Sequence, residues 1–244
     1  MRLQFFAIIA RYRNSGDPFF LLFAPQAVHT GNDYSVLQAP QSFVDRFPGI
    51  RDHRRRVFAG MLSALDDSVG EIFEELSKSE AINNTIIVFT TDNGGATGGT
   101  EFRVDNSVGS NWPLRGVKYT LWEGGIKGVA FVWSRLLNYS RYEFNNLMHI
   151  QDWLPTLYTA AGGQSSQLRS TIDGIDFWDV LSNKKQTELR TEILHNIDDI
   201  WGVYALRYKD YKLIYGTVFN GVLDSWFKPP ELQSEHSENE IVSE

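Results

Sequence analysis

Three short runs along the chain are apolar on both faces: Phe19-Phe-Leu-Leu-Phe23, Thr85 to Thr91 and Val129 to Trp133. Such runs predict buried strands of a parallel sheet. Between the first two, Phe58, Met61, Leu62, Leu65, Val69, Ile72, Phe73 and Leu76 recur at steps of three and four. That spacing predicts one long amphipathic helix over 52–78, with Asp52 as its N-cap. Strand, helix, strand in this order implies parallel pairing through a right-handed crossover. A second helix is predicted over 151–161, capped by Asp152, with Pro155 in its early turns and Gly162-Gly163 ending it. From about 193 the pattern changes. Residues 201–207 and 211–215 read as short strands around Tyr208-Lys209-Asp210, a hairpin. The apolar opening, Met1 to Ala10, is short and runs into Arg11-Tyr-Arg13, so it reads as a helix end rather than a leader peptide. No run approaches membrane-spanning length.

Polar chemistry sits just beyond the strand ends. Asp92-Asn93-Gly94-Gly95 follows the second run, where open α/β sheets place their ligands. A carboxylate beside an amide carbonyl offers hard oxygens to a divalent cation. A plain Asx turn explains the same residues. His29 follows the first run. Downstream, Asn111-Trp-Pro-Leu-Arg115-Gly-Val-Lys118-Tyr-Thr-Leu-Trp122-Glu-Gly-Gly125 combines glycines, which admit close backbone approach, with lysine, a point charge for an anion. The loop over 94–117 is long and polar, and long ordered loops tend to carry function.

Taken in order, His29, Asp92-Asn93-Gly94-Gly95, Leu114-Arg115-Gly116-Val-Lys118 and Leu121-Trp122-Glu123-Gly124-Gly125 resemble the sulfatase family. The likeness is greatest to its arylsulfatase B (N-acetylgalactosamine-4-sulfatase) and arylsulfatase I/J-like branches. Asp152-Trp153-Leu154-Pro155, the Asp173-Gly174-Ile-Asp176 turn and Leu194-His195-Asn196-Ile197-Asp198 extend it over about residues 17 to 216. The resemblance implies an α/β fold, part of an alkaline-phosphatase-like α/β/α sandwich with a mainly parallel sheet, plus a small antiparallel C-terminal subdomain. It places the carboxy-terminal portion of the catalytic domain at 1–190 and the subdomain at 191–228, while Ser/Glu-rich composition predicts a disordered tail at 229–244. It implies hydrolysis of sulfate esters, with sulfated glycans such as glycosaminoglycans as expected partners. By the same resemblance Asp92 and Asn93 match ligands of a calcium ion. Lys118 matches the lysine that contacts the substrate sulfate. His29 matches the histidine that contacts the ester oxygen and protonates the leaving group. Thr30 to Ser35 follow it like a small insertion.

Two absences qualify this. Family members use a formylglycine made from a Cys/Ser-x-Pro-x-Arg motif. The 244 residues contain no cysteine and no such motif. Asp66-Asp67 lies on the predicted helix and is a poor substitute for the family's paired metal-binding aspartates. The chain is therefore expected to be a fragment of a sulfatase, catalytically incomplete alone. A non-catalytic, sulfatase-derived binding protein is the alternative. A phosphate-ester hydrolase of the wider superfamily needs more His and Asp ligands than occur here.

Composition fits a folded domain: 42% hydrophobic and 14% aromatic, with a net charge of −7. That charge argues against nucleic acid as a partner, and any sulfated substrate must meet local cations. Without cysteine there are no disulfides and no zinc–thiolate sites. Asn83-Asn-Thr85 and Asn138-Tyr-Ser140 are N-glycosylation triplets. With the resemblance they imply a lysosomal or secreted glycoprotein. The Arg54-Arg55-Arg56 run reads as a solvated helix face, and Trp122 and Glu123 as structure or pocket wall. His149 and His195 read as satisfied core or turn histidines.

Overall fold

The structure, a computed structural model, describes residues 2–12, 15–32, 34–97 and 107–228. The tail from 229 and much of the predicted 94–117 loop lie outside the described residues. The fold is mixed α/β and divides into two compact units.

The first unit takes in residues 1–82, 90–130 and 217–244. Helix α1 (Arg2–Tyr12) and the short α2 (Gln41–Val44) precede α3 (His53–Ser77). The α3 range follows the apolar spacing, and Asp52 caps it by accepting the Arg55 backbone N–H at 2.7 Å. Met61, Leu65 and Leu76 of its stripe are buried with Ile9 and Val44, whereas Leu62 is exposed. The arginines after His53 are not a solvated face. Arg55 donates to the Val108 carbonyl at 2.5 Å, and Arg56 makes two bonds to the Ile50 carbonyl, at 2.8 and 2.6 Å. Carbonyls of chain packed beside the helix had orphan acceptors to satisfy, and the forked guanidinium does so. Asp67 is held by Arg46 in a bidentate pair.

The run at 19–23 forms no strand. Phe20 is 80% and Leu22 78% exposed. An extended apolar segment becomes a strand only when a neighbour takes its backbone groups, and no described strand does so here. The predicted parallel pair with 85–91 therefore does not form.

The second unit takes in residues 83–89 and 131–216. Strands β1 (Ile86–Thr90) and β2 (Ala130–Ser134) pair as a two-stranded sheet, with Phe89 and Phe131 stacked at 5.2 Å. Helix α4 (Glu123–Ile126) precedes β2 in the first unit, while α5 (Trp153–Ala160) and α6 (Trp178–Asn183) build the second unit's core. There Phe177, Val180 and Leu181 are buried, with Phe144, Met148, Trp153 and Ile175 packed around them. Strands β3 (Glu192–Asp198), β4 (Val203–Tyr208) and β5 (Tyr211–Tyr215) form an antiparallel sheet in chain order. The predicted hairpin is β4–β5. Its partner β3 carries a bulge beside His195.

Asp152 does not cap α5 as expected. It is fully buried, and its carboxylate accepts from the His149 and Ile175 backbone N–H groups at 2.7 and 2.8 Å. Arg190 completes the set with bonds of 2.9 and 2.5 Å. The aspartate thus ties the 149–152 turn, the Asp173–Asp176 turn and the segment before β3 together inside the second unit. His149 is a turn histidine whose ring takes the Gln151 N–H at 3.5 Å.

Candidate functional site

Where β1 ends, Thr91 continues backbone pairing with Val129, its N–H reaching the Val129 carbonyl at 3.0 Å. The chain then turns. Asn93 N–H donates to Asp92 Oδ1 at 3.0 Å, and the Asn93 amide donates to the Gly94 carbonyl at 2.8 Å. Asp92 is exposed and Asn93 half-buried.

Backbone hydrogen bonds stitch this turn to the lysine loop. Gly94 N–H donates to the Gly125 carbonyl at 2.9 Å, Lys118 N–H to the Gly95 carbonyl at 3.0 Å, and Gly124 N–H to the Arg115 carbonyl at 2.7 Å. Glycine is required at these contacts. A Cβ on Gly94 would overlap the Gly124 carbonyl, and one on Gly124 the Gly116 carbonyl. The Gly-Gly pairs in the sequence are thus the close-approach points of two loops.

Asn111 locks the junction. Its amide oxygen accepts the Gly95 N–H at 2.8 Å, and its nitrogen donates to the Gly95 carbonyl at 2.8 Å and the Gly116 carbonyl at 3.3 Å. Sequence reasoning assigned Asn111 no role, and nothing local marks it, since its partner lies 16 residues away. Asn111→Ala is expected to destabilise the first unit by about 1–3 kcal/mol, because it strands half-buried backbone groups. The urea unfolding midpoint would show this; an unchanged midpoint would mean that the loops hold without the clasp.

Two residues 89 positions apart meet in the same unit. Lys118 Nζ lies 3.2 Å from His29 Nε2, and His29 Nδ1 lies 2.9 Å from the Thr30 carbonyl. A carbonyl only accepts, so Nδ1 carries the proton. Nε2 of the neutral ring then accepts from the lysine ammonium. The insertion after His29 closes on itself, with Asn32 Oδ1 accepting the Tyr34 and Ser35 N–H groups.

Arg115 lies on the other side of Lys118 in sequence. Its guanidinium sits 3.6 Å from the Trp122 ring centroid and 4.8 Å from that of Trp226, and its Nε donates to the Asp224 carbonyl at 2.5 Å. Gly116 N–H donates to the Ser225 carbonyl at 2.9 Å. Segment 217–226 is thereby fastened to the lysine loop. The sequence reading gave this segment no function.

Calcium takes six to eight oxygen ligands. Asp92 and Asn93 offer oxygens of the right kind but too few. Among the described residues no group of three or more His, Cys, Asp or Glu side chains is placed to hold a metal ion. The described residues do not by themselves make a calcium site.

The glycosylation triplets lie in the second unit. The Asn83 side-chain oxygen accepts from Arg135. The exposed Asn138 donates through its side-chain nitrogen to Asn183 Oδ1 at 2.5 Å. Asn183 in turn donates to Asp179, whose carboxyl is held below its ordinary value by hydrogen bonds from Lys185 and Asn183.

With this geometry in hand, comparison with known proteins is decisive at family level. The sulfatase family model matches residues 3–163. This chain belongs to the sulfatase family. Arylsulfatase J of Mus musculus is 42% identical over 184 residues, which make up 75% of this chain and 28% of that protein. Arylsulfatase A of Bos taurus is 29% identical over 209 residues, 84% of this chain and 37% of that protein. The chain therefore spans roughly a third of these relatives. Among solved structures, Ps i-CgsB in complex with k-i-k-neocarrahexaose superposes with a TM-score of 0.74 at 24% identity, covering 99% of this chain and 52% of that one. PsFucS1 sulfatase from Pseudoalteromonas sp. gives 0.70 at 24% identity, over 93% and 42%. These likenesses show the sulfatase fold, alkaline-phosphatase-like and mixed α/β with its small antiparallel sheet. No helix among the described residues is long and apolar enough to cross a membrane.

Proposed function

We propose that this sulfatase chain supplies the sulfate-recognition half of a sulfuric ester hydrolase. The 3.2 Å meeting of Lys118 and His29 carries the reading. Lys118 binds a sulfate oxygen as a point charge. A sulfate entering there takes over the lysine bond that His29 Nε2 accepts without it. With Nδ1–H held by Thr30, His29 delivers a proton to an ester oxygen only from its doubly protonated form, through Nε2. Asp92 and Asn93 would lend two oxygens to a calcium ion whose other ligands lie elsewhere, so no step is routed through the ion. The formylglycine nucleophile of the family has no counterpart among the 244 residues, and the chain alone is expected to turn over no sulfate ester.

Sulfated glycans fit as substrates, since the solved relative Ps i-CgsB is in complex with k-i-k-neocarrahexaose. The triplets at Asn83 and Asn138 fit a glycoprotein of the lysosome or the secretory route. A binding protein without catalysis is the second reading, and the absence of any cysteine favours it.

The test is calorimetric titration of the full chain with inorganic sulfate. Lys118→Ala is expected to weaken binding by about ten- to a hundredfold, the share of a charge-assisted bond. Equal affinity in the variant would overturn the reading. Turnover of an aryl sulfate by the purified chain would reject its incompleteness and the second reading together.

A further inference from the structure

Resting on that sulfate site, we propose that Tyr119 and Phe219 form a stacking platform for the sugar ring that bears the sulfate. Three independent observations meet here. First, both rings are left half-exposed, Tyr119 at 47% and Phe219 at 44%, in contact with each other edge to face at 6.0 Å. Second, both residues sit in the left-handed region, with φ of +83° for Tyr119 and +49° for Phe219. Bulky side chains rarely adopt that conformation, and a structure keeps such strain where the surroundings over-determine it, most often at ligand sites. Third, the platform adjoins the cation that would hold the sulfate, with Lys118 Nζ 5.5 Å from the Tyr119 ring centroid.

The surroundings that hold this strain are visible. Phe219 is brought to Tyr119 by a turn in which Asn220 is also left-handed and Gly221 N–H donates to the Val218 carbonyl. Thr217 Oγ1 donates to Asp224 Oδ2 at 2.5 Å and closes the base of that turn. The Arg115 bond to Asp224 and the Gly116 bond to Ser225 anchor it to the lysine loop. Segment 217–226 therefore serves to deliver one aromatic ring, about a hundred residues downstream, to the neighbour of Lys118.

The occupant follows from the chemistry. A small free anion needs only the cation. An aromatic pair beside a cation suits a ligand with an anionic group and, next to it, a flat array of C–H bonds. Aromatic faces are negative and attract the positive edges of such C–H groups. A pyranose ring carrying one sulfate has both parts, and an exposed ring pair strained into place offers a preorganised surface for it.

The test compares three probes by calorimetry on the full chain: a monosulfated N-acetylhexosamine, the same sugar without sulfate, and inorganic sulfate. The wild-type chain is expected to bind the sulfated sugar about tenfold more tightly than inorganic sulfate. Phe219→Gly is expected to lower sulfated-sugar affinity by about fivefold while leaving inorganic sulfate unchanged. Glycine accepts the left-handed backbone without strain, so the same variant should stay folded, with a cooperative urea transition. That rules out misfolding as the cause of a loss. A Phe219→Gly chain with the wild-type ratio of sulfated sugar to inorganic sulfate overturns the platform. So does a wild-type chain that binds the sulfated sugar no better than the bare anion. Lys118→Ala separates the two proposals: if it leaves inorganic sulfate binding intact, the sulfate site falls, while the Phe219→Gly ratio still reads the platform by itself.

Discussion

Replacing Arg190 with methionine is expected to destabilise the second unit by about 3–5 kcal/mol. Its partner Asp152 is fully buried, and the Arg190 side chain is only 10% exposed. Two backbone N–H bonds remain to Asp152 after the substitution, but its charge is then stranded in a dry interior. The pair joins two turns and the segment before β3, so the loss should reach the Phe177–Leu181 core. Urea unfolding would measure it, with hydrogen exchange of peptides over 148–182 reporting where protection is lost. Adding Asp152→Asn should recover much of the loss, because the amide carries no charge to strand and its oxygen still accepts a backbone N–H. An unchanged midpoint in Arg190→Met would mean that water reaches the carboxylate and that the pair is not structural.

The second large effect is expected from one methyl group. Gly94→Ala places a Cβ onto the Gly124 carbonyl, where backbone meets backbone and no side chain can swing aside. Overpacking of this kind should cost about 3 kcal/mol, at the upper end for added methyl groups. The strain falls on the junction that holds Lys118 through the Gly95 carbonyl, so sulfate affinity should fall along with stability. Gly70→Ala provides the control. It lies inside α3 with nothing within 4 Å of a new Cβ, and should stabilise by about 0.5–1 kcal/mol with sulfate affinity unchanged. If Gly94→Ala matched Gly70→Ala in either readout, the two loops would not be in the contact described.

Helix α3, its Asp52 cap and the β4–β5 hairpin are legible in the sequence because their contacts are local. A step of three or four along a helix, or a tight turn between alternating strands, is written within one window of residues. The family is legible for a different reason, since the order of His29, Asp92-Asn93-Gly94-Gly95, Arg115-Gly-Val-Lys118 and the Gly124-Gly125 pair is itself a sequence fact. What those residues do to one another is not. The apolar run at 19–23 looks like a strand, but strand formation needs a partner for its backbone, and that partner is a matter of tertiary pairing. Asp152 looks like a helix cap, but Arg190, 38 positions on, takes its carboxylate into the core instead. Arg55 and Arg56 look solvated, yet distant carbonyls claim them.

The sequence by itself determined the family, helix α3 with its Asp52 cap, the β4–β5 hairpin, and the residue types able to meet a sulfate. Only the tertiary structure decided that His29 faces Lys118, that Asn111 clasps the two loops, and that Arg115 between two tryptophans draws segment 217–226 beside the site. Those contacts close separations of 16 to 109 residues. Chain closure over such distances depends on packing throughout the unit rather than on any local preference, and so it leaves no periodicity in the sequence to read.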